Sequence, residues 1–193
     1  MILTADEVVR SLKGSVRLIQ READGLRDFD VSIEGFWHSF AAIVLTMPAF
    51  IALLAERRLA SGLGPGLFDD PGLAIGEAFA YLAAWFAFPL VMVGFVRLMG
   101  LERRYVGYVV AYNWSTVIAS FALAIPATLH VLGLATPALA AFYTLAFGVI
   151  VLQYRWFLAR TALSVTSGLA LLVVGLDLAL DIGIATVARA LVG

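Results

Sequence analysis

Arg103-Arg104-Tyr105-Val106-Gly107-Tyr108-Val109-Val110-Ala111-Tyr112-Asn113-Trp114 opens an apolar run that continues to Ile125. It is the middle one of five such runs, so the other four must pack with it or around it. One face is a ladder of small residues four apart: Gly107, Ala111, Ser115 and Ala119. Among lipid tails there is little hydrophobic force between helices, and close packing on small residues replaces it. A second face carries Asn113, Thr116 and Ser120. An amide at membrane depth must find a hydrogen-bond partner or cost free energy. The helix is therefore expected to be enclosed by protein, with Asn113, Ser115 and Thr116 as its polar packing residues.

Composition agrees with this reading. Of 193 residues, 62% are hydrophobic and only 14% charged, with a mean hydropathy of +0.96. Soluble domains carry about 25% charged residues. The pattern predicts an all-α polytopic membrane protein, a five-helix transmembrane bundle with an N-terminal amphipathic interfacial helix. The net charge is −1 and no basic run is long, so nucleic acid is not an expected partner. With no cysteine, disulfides, thiol catalysis and Cys-ligated metals are excluded.

Residues 1–34 form a separate region, charged throughout, without the short apolar core of a signal peptide. Thr4-Ala5-Asp6-Glu7 fits a capping box, with Thr4 as cap and Glu7 reaching back. Val9, Leu12, Val16 and Ile19 then recur at helical spacing, opposite Arg10, Lys13, Arg17 and Arg21. Such a helix either contacts anionic head groups at the membrane surface or packs on the protein's own cytoplasmic face. Gly25 is its expected end. An acidic linker follows: Glu22, Asp24, Asp28, Asp30 and Glu34. Asp28-Phe29-Asp30 lacks further ligands and reads as a solvated turn rather than a metal site. Asp30 or Ser32 should cap the next helix.

The transmembrane domain, 35–193, holds helices at about 36–54, 78–96, 105–125, 138–158 and 162–182. Each is close to the ~20 residues a crossing needs. Trp37 stands at the start of the first as an interfacial aromatic, and His38 follows one turn in as a hydrogen-bonded residue. Pro48 should kink that helix and Pro126 should bend or end the third. The Gly-rich loop 61–66 lacks the Gly-Lys-Ser/Thr of a phosphate loop. Asp70-Pro71 and Thr136-Pro137 read as caps followed by a first-turn proline. Segment five carries a second small stripe, Ser164, Gly168, Gly175, Ala179 and Gly183.

Of 13 Lys and Arg, ten fall on the N-terminal side of the membrane if the chain starts inside. Arg57, Arg58 and Arg189 fall on the other side. The positive-inside rule therefore predicts a cytoplasmic N-terminus and a C-terminus opposite, in a bacterial inner membrane. Arg57 and Arg58 dissent, and should snorkel or pair with Glu56, Asp69 or Asp70.

Gly35-Phe36-Trp37 resembles the Gly-Pro-Phe-Trp motif that opens the first helix in the Yip1 family. Gly107-Tyr108 resembles that family's Gly-Tyr motif, and the segment from Tyr154-Arg155 to Ala162 resembles the turn between its last two helices. The resemblance covers residues 35–182 in pattern. The acidic residue, Leu and Tyr that precede the family's motif are missing, because this chain has Ile33-Glu34-Gly35-Phe36. The resemblance implies five helices, a cytosolic N-terminal region and a role in membrane organisation. Eukaryotic members act in vesicle trafficking and in shaping Golgi and ER membranes with small GTPases; that GTPase binding is not carried over here.

Catalytic chemistry has few candidates. His38 and His130 sit near opposite boundaries, which disfavours a triad or a bis-His haem site. Intramembrane protease motifs are absent from the sequence. No enzymatic activity, cofactor or metal is expected. Asp177 and Asp181, four apart, share one helix face. Counting about 1.5 Å per residue from Ala162 puts them about 22 and 28 Å along the helix. They are either a bonded carboxylate and a wet one, or a proton or cation site opening outward with Glu77 and His130 converging on it. The expected function is a non-enzymatic scaffold of Yip1 type. The alternatives are an accessory subunit of a larger membrane complex and a small oligomeric transporter or channel. Expected partners are the bilayer, including anionic lipids, and a second copy or another membrane protein.

Overall fold

The computed structural model describes residues 3–62 and 71–192, with side chains described for 3–62 and 75–187. The described residues form seven α-helices, one 3-10 turn and no strand. They are α1 (Ala5–Ile19), a 3-10 turn (Ala23–Asp28), α2 (Ile33–Ser39), α3 (Ala42–Ala60), α4 (Pro71–Met99), α5 (Glu102–Val131), α6 (Pro137–Leu163) and α7 (Ser167–Val192). Five stretches are long and apolar enough to cross a membrane: Ile33–Ala60, Ile75–Met99, Glu102–Val131, Pro137–Leu163 and Ser167–Val187.

The stretch that opened the sequence reading is the hub. Helix α5 packs along α3 on one side and α6 on the other, and α1 and α2 lie against it. Helix α7 closes the bundle between α4 and α6. The small ladder does what its spacing implies: Ala111, Ser115 and Ala119 are buried, and a Cβ at Gly107 would stand 3.5 Å from Val31 Cγ1. Tyr108, Val109, Val110 and Trp114 fill the core beside them.

The first crossing is built from two helices. It breaks at Phe40-Ala41, and Pro48, the expected kink position, lies inside α3. Ser39 Oγ donates to Phe36 O at 2.6 Å and accepts from Asn113 Nδ2 at 2.9 Å. The corner is closed by short-range bonds, Phe40 N to Trp37 O and Ala41 N to His38 O. The break is thus held by a contact from α5, and neither Gly nor Pro marks it. Helix α5 likewise continues past Pro126 to Val131, which puts His130 in its last turn rather than in a loop.

Helix α1 also departs from expectation. Thr4 caps it by accepting from Glu7 N at 3.2 Å, but the Glu7 carboxylate does not reach back. It pairs instead with His38 Nδ1 at 3.0 Å and joins α1 to α2. The helix ends at Ile19, and Arg21 takes a φ of 65°, so Gly25 is not its terminus. Gly25 lies against Gly14: a Cβ on Gly14 would stand 2.8 Å from Gly25 O. This close approach lets Arg17 clamp the acidic linker, at 2.9 Å to Glu22 and 3.0 Å to Asp28. Asp30 Oδ1 accepts from Ser32 N at 2.9 Å, and Ser32 caps α2 by accepting from Gly35 N. Thr136 caps α6 through Leu139 N, as its Thr-Pro pair predicts. The 63–66 part of the Gly-rich loop, the Asp70 cap, and Asp69 and Asp70 as partners of Arg57 or Arg58 lie outside the described residues, as does the Arg189 side chain.

Candidate intramembrane polar site

Four polar side chains from three helices meet inside the bundle. Tyr112 and Thr116 are one turn apart on α5, Arg155 comes from α6, and Asp177 from α7. Tyr112 Oη donates to Asp177 Oδ1 at 2.5 Å. Arg155 Nε lies 3.8 Å from Asp177 Oδ2, with 11% and 12% of the two side chains exposed. That distance is an ion pair but too long for a direct hydrogen bond. Arg155 Nη2 donates to Thr116 Oγ1 at 3.0 Å, and Thr116 Oγ1 donates to Tyr112 O at 2.9 Å. The guanidinium carbon sits 4.0 Å from the centre of the Tyr112 ring, a cation–π contact. Phe88 of α4 stacks on that ring at 4.4 Å. Arg155 Nη1 is buried without a partner among the described residues.

Local structure explains why these groups meet. Helix α6 continues past Arg155 to Leu163 and ends where Ser164 adopts a left-handed conformation, φ 47°. Thr166 then caps α7 by accepting from Leu169 N at 3.4 Å. Arg155 therefore lies eight residues inside its helix. Asp177 lies ten residues from the start of α7, Ser167–Val192, about 15 Å along it. With the helix starting at Ser167 rather than the expected Ala162, Asp177 lies about 15 Å rather than about 22 Å from its start. Arg155 fell inside the expected 138–158 helix but was weighed only as one of the ten inner-side cations. The signal that could have corrected the helix start is Thr166-Ser167-Gly168-Leu169, a Thr cap ahead of an apolar run.

The anticipated companions of Asp177 are elsewhere. Glu77 faces Arg57 at 3.7 Å, and His130 Nδ1 lies 3.3 Å from Glu56 Oε1. Asp181 is exposed, one turn further along α7, within the field of both Arg155 and Arg57. Glu77, His130 and Asp177 thus do not converge. Asn113 is fully buried and bonded to Ser39, although its Oδ1 has no partner among the described residues. Ser115 donates to Tyr112 O at 2.8 Å.

The surface residues of α1 divide. Arg10, Lys13 and Arg21 are exposed, with Arg21 donating to Gln153 of α6 at 2.8 Å. Arg17 is turned onto the acidic linker. The buried face of the helix is Ser11, Gly14, Ser15 and Leu18, and Tyr154 Oη of α6 donates to Ser15 O at 2.9 Å. Leu12 and Ile19 pack partly against the core, whereas Val9 and Val16 remain exposed.

The described residues are thus all-helical, with five helices long and apolar enough to suit an integral membrane protein and an Arg–Asp pair of no net charge enclosed among three of them. No family model matches the sequence, and neither a curated protein nor a solved structure matches it.

Proposed function

We propose that this chain is a non-enzymatic, membrane-organising scaffold of the Yip1 type, set in a bacterial inner membrane with its N-terminus in the cytoplasm. The observation that supports this reading is the docking of α1. Its small face is fixed on α5 and α6, while Arg10, Lys13 and Arg21 point outward with Val9 and Val16 exposed. A helix held this way offers anionic head groups a surface of fixed shape. Each such cation near an anionic leaflet contributes roughly 1 kcal/mol, screened by salt. The glycines on the outer side of α7 favour assembly with a second copy or a partner helix. A Cβ at Gly168, Gly175 or Gly183 would meet nothing within 4 Å.

The test is reconstitution of the whole chain in vesicles containing a head-group-labelled anionic lipid. Energy transfer from the protein's tryptophans should report enrichment of that lipid. Reversing Arg10, Lys13 and Arg21 to Glu should abolish the enrichment, as should high salt. Unchanged transfer in the reversed variant rejects the role of α1.

A second reading is supported by one observation, the Arg155–Asp177 pair inside the helices, because intramembrane charges mark ion pathways in many proteins. It makes the chain a small oligomeric proton or cation carrier. In that case Asp177→Asn abolishes a pH-dependent flux across the same vesicles, and the lipid signal stays as it was.

A further inference from the structure

At the end of the bundle remote from α1, the helices part into a groove of about 860 Å³. Its walls are Leu59 and Ala60 of α3 and Pro137, Ala141, Thr144 and Leu145 of α6, and its polar groups are Glu56 and His130. The volume lies within the ~300–1,000 Å³ of ligand clefts. Ala141 and Leu145 belong to the outer part of α6, which also exposes Phe142 and Val149. The groove therefore opens sideways onto the surface that the apolar helices present to lipid, and its occupant is drawn from the bilayer.

The charges of the groove select the head group. Glu56 Oε1 faces His130 Nδ1 at 3.3 Å, and among the described residues these two are the ionisable ones on its walls. Arg57 follows Glu56 by one position and so points about 100° away on the helix. Its guanidinium meets Glu77 of α4 at 3.7 Å instead. No described Lys or Arg lines the groove, so Glu56 presents there a carboxylate bonded to His130, and the walls leading from it are apolar. A charge-assisted hydrogen bond to a carboxylate needs an N–H donor.

We propose that this groove binds one phospholipid with a primary-amine head group, phosphatidylethanolamine, its ammonium on Glu56 and an acyl chain along Ala141 and Leu145. An anionic head group meets repulsion from Glu56, and a quaternary ammonium lacks the N–H to donate.

The test is native mass spectrometry of the full chain released from nanodiscs holding equal phosphatidylethanolamine, phosphatidylcholine and phosphatidylglycerol. One phosphatidylethanolamine should be retained over phosphatidylglycerol by about tenfold, the size of one charge-assisted hydrogen bond. Glu56→Gln keeps the volume of the groove and should bring that ratio close to one. Ala141→Trp should fill the groove and remove the adduct, with the helical circular dichroism unchanged. Should Ala141→Trp not fold, Glu56→Gln decides alone. Equal retention of all three lipids, a preference that survives Glu56→Gln, or a dimer carrying no lipid overturns the proposal. A preference for phosphatidylglycerol lost only on reversing Arg10, Lys13 and Arg21 also overturns it, and assigns lipid recognition to α1 alone.

Discussion

Cutting one half of the Arg155–Asp177 pair should cost far more than removing both halves. At 3.8 Å and an effective dielectric of ~20, two unit charges attract by about 4 kcal/mol. Asp177→Leu deletes that attraction and leaves a guanidinium enclosed by helices. It also takes away the acceptor of Tyr112 Oη. Breaking a buried pair in this way typically costs ~3–5 kcal/mol. Arg155→Leu should cost a similar amount, because it strands a carboxylate whose remaining bond is the phenol. The double variant replaces both charges with apolar volume, and such replacements are often neutral or stabilising. With each single variant at ~3–5 kcal/mol and the double variant near zero, a coupling energy of roughly 6–10 kcal/mol is expected from the cycle. Reversible unfolding in mixed micelles, followed by tryptophan fluorescence and far-UV circular dichroism, measures all four corners. If each single variant costs under ~1 kcal/mol, or the two costs simply add, the pair is solvated or screened and the reasoning about an enclosed charge is wrong.

Other consequences can be checked in the same format. Asn113→Leu should cost about 0.6 kcal/mol, the average for an interhelical hydrogen bond; a loss above ~2 kcal/mol indicates that Ser39 and the break in the first crossing depend on it. Gly14→Ala places a Cβ 2.8 Å from Gly25 O, so it should release α1 and raise proteolysis between residues 20 and 32, whereas unchanged cleavage means the two backbones do not touch. Asp30 has its pKa lowered, first by the Ser32 backbone N–H and then by the Ser32 hydroxyl. Its stabilisation is therefore complete above about pH 4, the unfolded value, and is lost as pH falls through the lower folded value. Asp30→Asn should flatten that part of the stability profile, and an unaltered acid limb contradicts the bond to Ser32.

The fold was legible where one local signal decided it. Long apolar runs set five helices, Thr136-Pro137 set the start of α6, and the small ladder of α5 marked the hub. The misread features depended on distant partners. Nothing near Phe40 announces a break, because the residue that stabilises the corner, Asn113, is on another helix. Pro126 was read as bending or ending its helix, but α5 runs on past it to Val131. Glu7 matched a capping box by position, yet His38 offered it a second partner that only the folded chain supplies. At the candidate site, Asp177 and Thr116 were visible as polar residues in apolar helices, while Arg155 was read only as an inner-side cation of the positive-inside count. Arg155, inside the expected 138–158 helix, was weighed only toward the charge balance, and with α7 started five residues early Glu77 and His130 were named in place of Tyr112 and Arg155.

The three-residue connection between α6 and α7, residues 164–166, bears on how the chain enters a bilayer during synthesis. Helix α6 carries a guanidinium and helix α7 a carboxylate, and a single such charge at the centre of an inserting helix costs ~2.5–3.5 kcal/mol. Presented one at a time, each helix is a poorer candidate for release into lipid than its leucines suggest. The short connection makes them a hairpin whose charges can neutralise each other before either leaves the insertion machinery. By then α5 is already in place with Tyr112 as the third partner. Lengthening this connection by a flexible insert should therefore reduce membrane integration of the last two helices while leaving the first three crossings intact, a defect of timing rather than of final stability.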